Sequence, residues 1–315
     1  MKHAASASSA SGVSPEAAAC PAETSVAWPA APGQPASASP RPFLKWAGGK
    51  GQLLGRLRKL VPGTYGTYFE PFLGGGAVYF DLRPRKAFLN DINAALVGSY
   101  LDVKRRPDAV IERLRLLQDE YLGAPEQARA EMFYRVRDEY NALPDHTPQK
   151  TACLIFLNKT CYNGMYRESS TGQFNVPFGR YRNPRILDEE NLRGASALLA
   201  GAELSSVPFE EAVCQARKND FVYFDPPYHP LSETSSFTSY HARDFAEADQ
   251  ERLRDVFADL AKRGCLVMLS NSYTEFVRDL YRGFHQHTVL ANRAINCKAS
   301  GRGKIKELVV TNYQP

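Results

Sequence analysis

The chain has 315 residues, 43% of them hydrophobic and 23% charged, with a formal net charge of +5. That length supports one large core or two ordinary ones, and no apolar run approaches the roughly 18 residues that suggest a membrane span. The mild positive excess permits a nucleic-acid partner without requiring one. Six scattered cysteines (Cys20, Cys153, Cys161, Cys214, Cys265 and Cys297) form no CxxC pair, so neither a metal site nor a disulfide framework is expected. The first residues lack the apolar stretch of a secretory signal, and the expected location is the cytoplasm.

Residues 1–40 are rich in Ala, Ser and Pro, hold almost no large apolar side chains, and are expected to be disordered. The folded part opens with Phe43-Leu44-Lys45-Trp46-Ala47-Gly48-Gly49-Lys50, followed by a helix predicted over Gly51–Leu60. Strands are predicted over Thr67–Phe69 and Ala87–Leu89, and a helix over Asn93–Val103. From about residue 104 to 200 the strand signal stops. Amphipathic helices are predicted over Asp108–Tyr121, Glu126–Tyr140 and Gln149–Asn158, then a loop without periodicity over Lys159–Pro184. Strands return at Phe221–Phe224, Leu266–Leu269 and Leu308–Asn312, with a helix over Ala246–Lys262. Short β runs alternating with helices argue for an α/β domain with a mostly parallel sheet. Residues 41–103 and 201–315 would form it, and residues 104–200 would be a helical insertion.

The strongest local signal is Asp225-Pro226-Pro227-Tyr228, directly after an apolar run. Such a tetrapeptide arises by chance in roughly a few of every thousand chains this long, so a strand-capping turn is the lesser reading. Open α/β sheets bind ligands beyond the carboxyl ends of their strands, where this motif falls. An exocyclic amine on a purine or pyrimidine is a poor nucleophile because its lone pair is delocalised into the ring. A carboxylate and a backbone carbonyl that both accept from it would draw it toward tetrahedral geometry. Asp225 supplies the first and Pro226 the second, since proline keeps its C=O. Tyr228 would stack on a base taken out of the duplex.

A second signal is Tyr68-Phe69-Glu70-Pro71-Phe72-Leu73-Gly74-Gly75-Gly76, a strand running into glycines ahead of a helical pattern. Glycines there let the backbone approach a ligand at a helix N-terminus. The run does not fit GxGxxG, because Tyr79 takes the third glycine position, and the chain has no GxxxxGK[ST], so nicotinamide dinucleotides and ATP lose ground. Asp91, in Asn90-Asp91-Ile92-Asn93, stands either where an acid grips ribose hydroxyls or as a helix N-cap. In the Phe43–Lys50 segment, two glycines between an indole and lysines suggest backbone near an anion or nucleotide.

Together these segments resemble the Dam family of DNA adenine-N6 methyltransferases, and the resemblance runs from Phe43 to Tyr313. It implies a Rossmann-like S-adenosylmethionine methyltransferase sheet with an inserted DNA-recognition domain. It also implies double-stranded DNA as substrate, and leaves open a cognate restriction endonuclease as partner. By the match, Trp46, Lys50, Glu70, Phe72, Gly74, Asp91 and Asp225 would bind the cofactor, and Lys45 would face DNA. The most family-specific stretch, Asn158 to Tyr181, reads NKTCYNGMYRESSTGQFNVPFGRY and resembles the family's target-recognition loop. Its side chains suit base recognition, since Arg167 can bind guanine bidentately, Asn163 can bind an adenine edge, and Tyr162 or Met165 can wedge into a stack. Ser169-Ser170 stands where relatives commonly carry an Asn. Arg180, with Arg302 and Lys304 in a Gly-punctuated basic segment, would contact phosphates. The resemblance implies GATC as target. Alternatives from the residues alone are N4-cytosine methylation, RNA methylation, or a DNA-binding protein without catalysis. No cysteine occupies a nucleophile motif, which argues against the covalent C5-cytosine route.

Overall fold

A computed structural model describes residues 39–231, 245–292 and 304–315. Of the tail expected over residues 1–40, residues 1–38 lie outside them, as do Arg302 and the side chain of Lys304.

The strands are β1 (Tyr68–Glu70), β2 (Ala87–Asn90), β3 (Ala202–Ser205), β4 (Phe221–Phe224), β5 (Leu266–Ser272), β6 (His285–Asn292) and β7 (Lys304–Thr311). They form one sheet in the order β3-β2-β1-β4-β5-β7-β6. The first five pair in parallel, and β7 runs antiparallel between β5 and β6. Strand order reverses between β1 and β4, since β2 and β3 step away on one side and β5 on the other. Such a reversal opens a crevice beyond the carboxyl ends of the two central strands. It sets Glu70, the last residue of β1, beside Asp225, the first after β4.

Side chains alternate across the sheet with period two. Tyr68, Phe221, Tyr223, Met268 and Val309 enter one core, while Phe69, Val222, Phe224, Val267, Leu269, Leu308 and Val310 enter the other. On the first face lie α1 (Leu54–Leu57), α2 (Ala77–Leu82), α3 (Ala94–Arg105), α4 (Pro107–Gly123), α5 (Glu126–Ala142), α6 (Pro148–Thr160) and α7 (Glu189–Leu199). On the second lie α8 (Phe209–Ala212), α9 (Glu247–Lys262) and α10 (Glu275–Leu280). Both faces being covered, β4 is buried throughout and reads as an unbroken apolar run.

The helix expected over Gly51–Leu60 is only a 3-10 turn, Lys50–Gln52, and the four residues of α1. Gly51 and Gly55 each raise the cost of a continuous helix by roughly 1 kcal/mol relative to Ala. At α3 the N-cap is Asn93, whose side chain accepts from the Leu96 N–H at 2.9 Å, so Asp91 is not the cap. All of α3 to α7 lies between β2 and β3 in the chain. Among these, α6 starts with a Thr147 cap and Pro148, then buries every residue from Thr151 to Asn158. A helix buried all round is a fixed post, and the Tyr162–Arg167 segment hangs from its end. Among the described residues no helix is long and apolar enough to cross a membrane.

Asn90 ties the strand ends at the crevice. It is 2% exposed, and its Nδ2 donates to the carbonyls of Pro71 and Val207, both at 3.0 Å. Its Oδ1 accepts from the Ser205 hydroxyl at 2.9 Å and the Val207 N–H at 3.0 Å. Asn90→Ala leaves these buried groups unpaired and should lower the unfolding free energy by roughly 1–3 kcal/mol. Urea denaturation checks this, and a variant as stable as the parent would contradict it.

Candidate active site

The turn after β1 closes on the Phe43–Lys50 segment. Gly74 adopts φ +49°, and a Cβ there would come within 3.0 Å of Trp46 Cδ1; one on Gly75 would come within 3.3 Å of Trp46 Cβ. Only glycine lets this turn lie against the indole. Asp91 holds the turn from the other side: Oδ2 accepts from the Gly74 N–H at 2.8 Å and Oδ1 from the Asn93 N–H at 3.0 Å. Phe72 is part-buried against the rings of Phe209 and Phe224, with centroids 5.4 and 6.3 Å away.

Lys50 reaches the end of β4. Its Nζ lies 2.6 Å from Asp225 Oδ1, donates to the Gly48 carbonyl at 2.8 Å, and sits 4.7 Å from the centroid of the Tyr228 ring. Lys50 is 6% exposed, and its charge is directed at an internal carboxylate. Among the described residues Asp225 Oδ1 accepts no well-aligned hydrogen bond, and its contact with Lys50 is chiefly one of charge. Tyr228 is fixed at its far end, where its hydroxyl donates to Glu307 Oε2 on β7 at 2.9 Å.

Burial pushes the Asp225 carboxyl above the usual range; the Lys50 charge opposes the shift and Glu307 adds to it. Glu70, 2% exposed, accepts from the Tyr68 hydroxyl at 2.8 Å. Burial pushes its carboxyl up to about 8, the Tyr68 hydrogen bond works against that, and the Asp225 charge adds to it. The carboxyl groups of Glu70 and Asp225 thus lie around the Lys50 ammonium, and Asp91 holds the glycine turn at the same crevice. Ile92, 73% exposed, stands next to Asp91, and the part-buried Trp46 indole borders the glycine turn. The donor set fits a positively charged nucleoside: carboxyls for the charge and hydroxyls, apolar faces for the ring.

The recognition candidates occupy a neighbouring surface. Lys45, Tyr162, Asn163, Met165, Arg167 and Arg180 are all exposed. Asn158, 1% exposed, accepts from the Lys45 N–H at 2.7 Å and donates to the carbonyls of Lys45 at 2.9 Å and Gly164 at 3.1 Å. Gly164 has φ +63°, and a Cβ on it would lie 2.5 Å from Lys45 Cδ. Trp46 stacks on Tyr166 with centroids 4.7 Å apart and planes at 27°. Arg167 Nε donates to Asn175 Oδ1 at 2.7 Å. The segment expected to be an irregular loop is tied by backbone bonds from Tyr162 N–H to Pro177 O at 2.8 Å and Gly179 N–H to Thr160 O at 2.9 Å. Antiparallel bridges join Cys161 to Phe178 and Glu168 to Phe174. These are long-range pairings that no sequence periodicity announces.

A cavity of about 420 Å³ opens on the same side, bordered by Arg41, Lys45, Lys159, Arg182, Arg185 and Asp188. Burial pushes the Lys159 ammonium below its ordinary value, and the Lys45 charge adds to the shift. None of Glu70, Asp91, Asp225 or Tyr228 borders this cavity.

The model of the D12 class of N6 adenine-specific DNA methyltransferases matches residues 46–295. The chain belongs to this class. It is 46% identical over 286 residues to the type II methyltransferase M.MjaIII of Methanocaldococcus jannaschii, covering 87% of this chain and 99% of that one. It is 43% identical over 280 residues to the type II methyltransferase M1.LlaDCHI of Lactococcus lactis subsp. cremoris, covering 87% and 95%. The DNA adenine methylase of Escherichia coli K12 matches at 35% over 276 residues, covering 87% and 96%. This D12 enzyme is therefore an adenine-specific DNA methyltransferase, and its class implies S-adenosylmethionine as methyl donor. N4-cytosine methylation, RNA methylation and the non-catalytic reading give way to that assignment.

Sequence reasoning passed over several residues here. Asn158 sits within the quoted recognition stretch but carried no assigned role, and Tyr166 was a spacer in its core. Glu307, Gln250 and Asn271 carried no local signal, because each bonds to the Asp225–His229 stretch from a separate element: Glu307 accepts from the Tyr228 hydroxyl, Gln250 donates to the Pro227 carbonyl, and Asn271 accepts from the His229 N–H.

The Glu70 carboxyl makes a pH prediction. In the unfolded chain it releases its proton near the ordinary 4.5, and in the folded chain only near 8. Between these values the folded state holds more proton, so this group's contribution to stability falls as pH rises through the window. Glu70→Gln should lose less stability than the parent from pH 5 to pH 8, read as urea midpoints. Identical pH slopes in the two proteins would contradict the assignment.

Proposed function

We propose that the enzyme methylates the adenine of GATC, taking that base out of the duplex into the crevice between β1 and β4. The observation that carries the crevice as the site of transfer is the Lys50–Asp225 contact against the Tyr228 ring, while GATC rests on the resemblance of the Tyr162–Arg167 core to the family's target-recognition loop. It sets a cation against the carboxyl at the end of a central strand, where an amine would arrive, and opposes the burial that raises the Asp225 carboxyl. Trp46, Lys50, Glu70, Phe72, Gly74 and Asp91 would hold S-adenosylmethionine. When bound, that group supplies an electrophilic methyl on a sulfonium.

In this reading Asp225 and the Pro226 carbonyl accept from the two N6 hydrogens and direct the lone pair toward the methyl. Tyr228 stacks on the base, its ring set by Glu307 at one end and Lys50 beneath. Displacement is direct and in line, and Asp225 is placed to receive the proton shed afterwards. Pro227 completes the turn.

Residues 104–200 serve as the recognition domain in this proposal, inserted between catalytic segments 41–103 and 201–315. Tyr162 and Met165 would fill the stack, Asn163 and Arg167 read base edges, and Lys45 and Arg180 meet the duplex. Arg302 and Lys304 would contact phosphates from the basic segment. The type II relatives, at 46% and 43% identity, support a cognate restriction endonuclease as partner. Among the described residues Cys153, Cys161 and Cys265 are free thiols, which supports a reducing, cytoplasmic setting.

Asp225→Ala should abolish methyl transfer while duplex binding and the folded state persist, measured with radiolabelled S-adenosylmethionine and by gel shift. Near-normal transfer would remove Asp225 from the mechanism.

Arg167→Ala tests the target. Loss of one bidentate guanine contact worth about 1–3 kcal/mol should relax discrimination against single-base variants of GATC by roughly tenfold to a hundredfold. Single-molecule mapping of N6-methyladenine in cellular DNA reads both points, and modification concentrated at another motif would overturn GATC while leaving the enzyme class intact.

A further inference from the structure

We propose that Gln250 and Asn271 are positioning residues for methyl transfer, a buried amide pair that sets the carbonyl geometry of the Asp225–Tyr228 turn. The need for them follows from the turn's own chemistry. Two consecutive prolines have no N–H, so the turn cannot be anchored through its own amide donors at these positions. It can be held through its carbonyls, by donors from elsewhere, and through the first N–H groups that follow.

The structure supplies both. Gln250 on α9 donates from Nε2 to the Pro227 carbonyl at 3.0 Å. Asn271 on β5 accepts the His229 N–H at 3.1 Å with Oδ1, and donates from Nδ2 to Gln250 Oε1 at 2.9 Å. Ser272 closes the set, its hydroxyl donating to the His229 carbonyl at 2.7 Å and its N–H to Asn271 Oδ1 at 2.8 Å. Gln250 and Asn271 are both 0% exposed.

A single chain of amide hydrogen bonds therefore runs from β5 through α9 to the carbonyl next to that of Pro226. Because a buried Gln amide has one oxygen and one NH₂, the Asn271 donor fixes which end of Gln250 faces Pro227. With the Pro227 carbonyl and the His229 backbone both pinned, and φ at Pro227 fixed by its ring, the Pro226–Pro227 peptide is held from the Pro227 side while Lys50 holds the Asp225 carboxyl. The Pro226 carbonyl and the Asp225 carboxyl are then held in one relative orientation. Reaction rates are sensitive to such placement, and a misplacement of about 1 Å can cost roughly a hundredfold. The inference rests on the reading that Asp225 and the Pro226 carbonyl both act on N6.

The test compares Gln250→Met, which keeps the volume and removes the donor, and Asn271→Asp, which keeps the His229 acceptor but cannot orient Gln250, with the parent and Asp225→Ala. Single-turnover methylation of a GATC duplex, cofactor and duplex affinity, and fluorescence of 2-aminopurine at the target adenine are measured on each. The expected result for Gln250→Met is a fall in single-turnover rate of tenfold or more, with both affinities and the base-extrusion signal within about threefold of the parent. Asn271→Asp should fall in the same direction, and it alone decides if Gln250→Met does not fold. An unchanged rate in the folded variants, or a rate that falls only in step with affinity, would overturn the positioning role. Normal methylation by Asp225→Ala would instead show that the underlying reading of the turn is wrong, whatever the two amide variants do.

Discussion

Lys50, near the start of the folded chain, and Asp225, just after β4, meet within 2.6 Å at the point where strand order reverses. For a carboxylate held there, burial and the Glu307 charge disfavour the ionised form, and a nearby cation opposes them. Lys50 provides it, and to do so the Trp46–Lys50 segment must fold back over the crevice. The glycine turn after β1 then has to pass against Trp46, which is why Gly74 and Gly75 carry no side chain. One charge contact thus constrains the first segment, the β1 turn and the β4 turn together.

The same segment joins the crevice to the recognition surface. Asn158, at the end of the buried helix α6, holds both the Lys45 backbone and the Gly164 carbonyl, while Trp46 stacks on Tyr166. The indole therefore touches the glycine turn on one side and the Tyr162–Arg167 core on the other. The two regions are joined through packed rings and a fully bonded side-chain amide rather than through a flexible linker.

Helices α4, α5 and α9 were legible because each is long and presents an apolar stripe, a property of local spacing alone. Strand β4 was legible because burial on both faces makes it continuously apolar. By contrast β3 spans four residues, and β6, with His285, Gln286 and His287 at its start, has no strong apolar alternation; both are strands because a neighbour pairs with them. Helices α7, α8 and α10 were likewise not marked out, the last two being too short for periodicity to register. The proposed helix over Gly51–Leu60 failed where glycines interrupt it, and the Lys159–Pro184 loop gained its order from bridges between distant residues.

By itself the sequence determined the chemistry available: an acid before two prolines and a tyrosine, a glycine turn after a strand, an acid after the next strand, and a basic loop with Asn and Arg. Those are local signals, readable wherever the chain folds. Tertiary structure decided which of those groups meet. It turned Lys50 inward to Asp225, made Asn93 rather than Asp91 the cap of α3, bound Tyr228 to Glu307, and placed Gln250 and Asn271 behind the diproline turn. Each of these contacts joins segments separated by other elements of the chain or depends on a backbone angle at one residue. Neither property is encoded in residue type or short-range periodicity; both follow only from the order in which the strands assemble into the sheet.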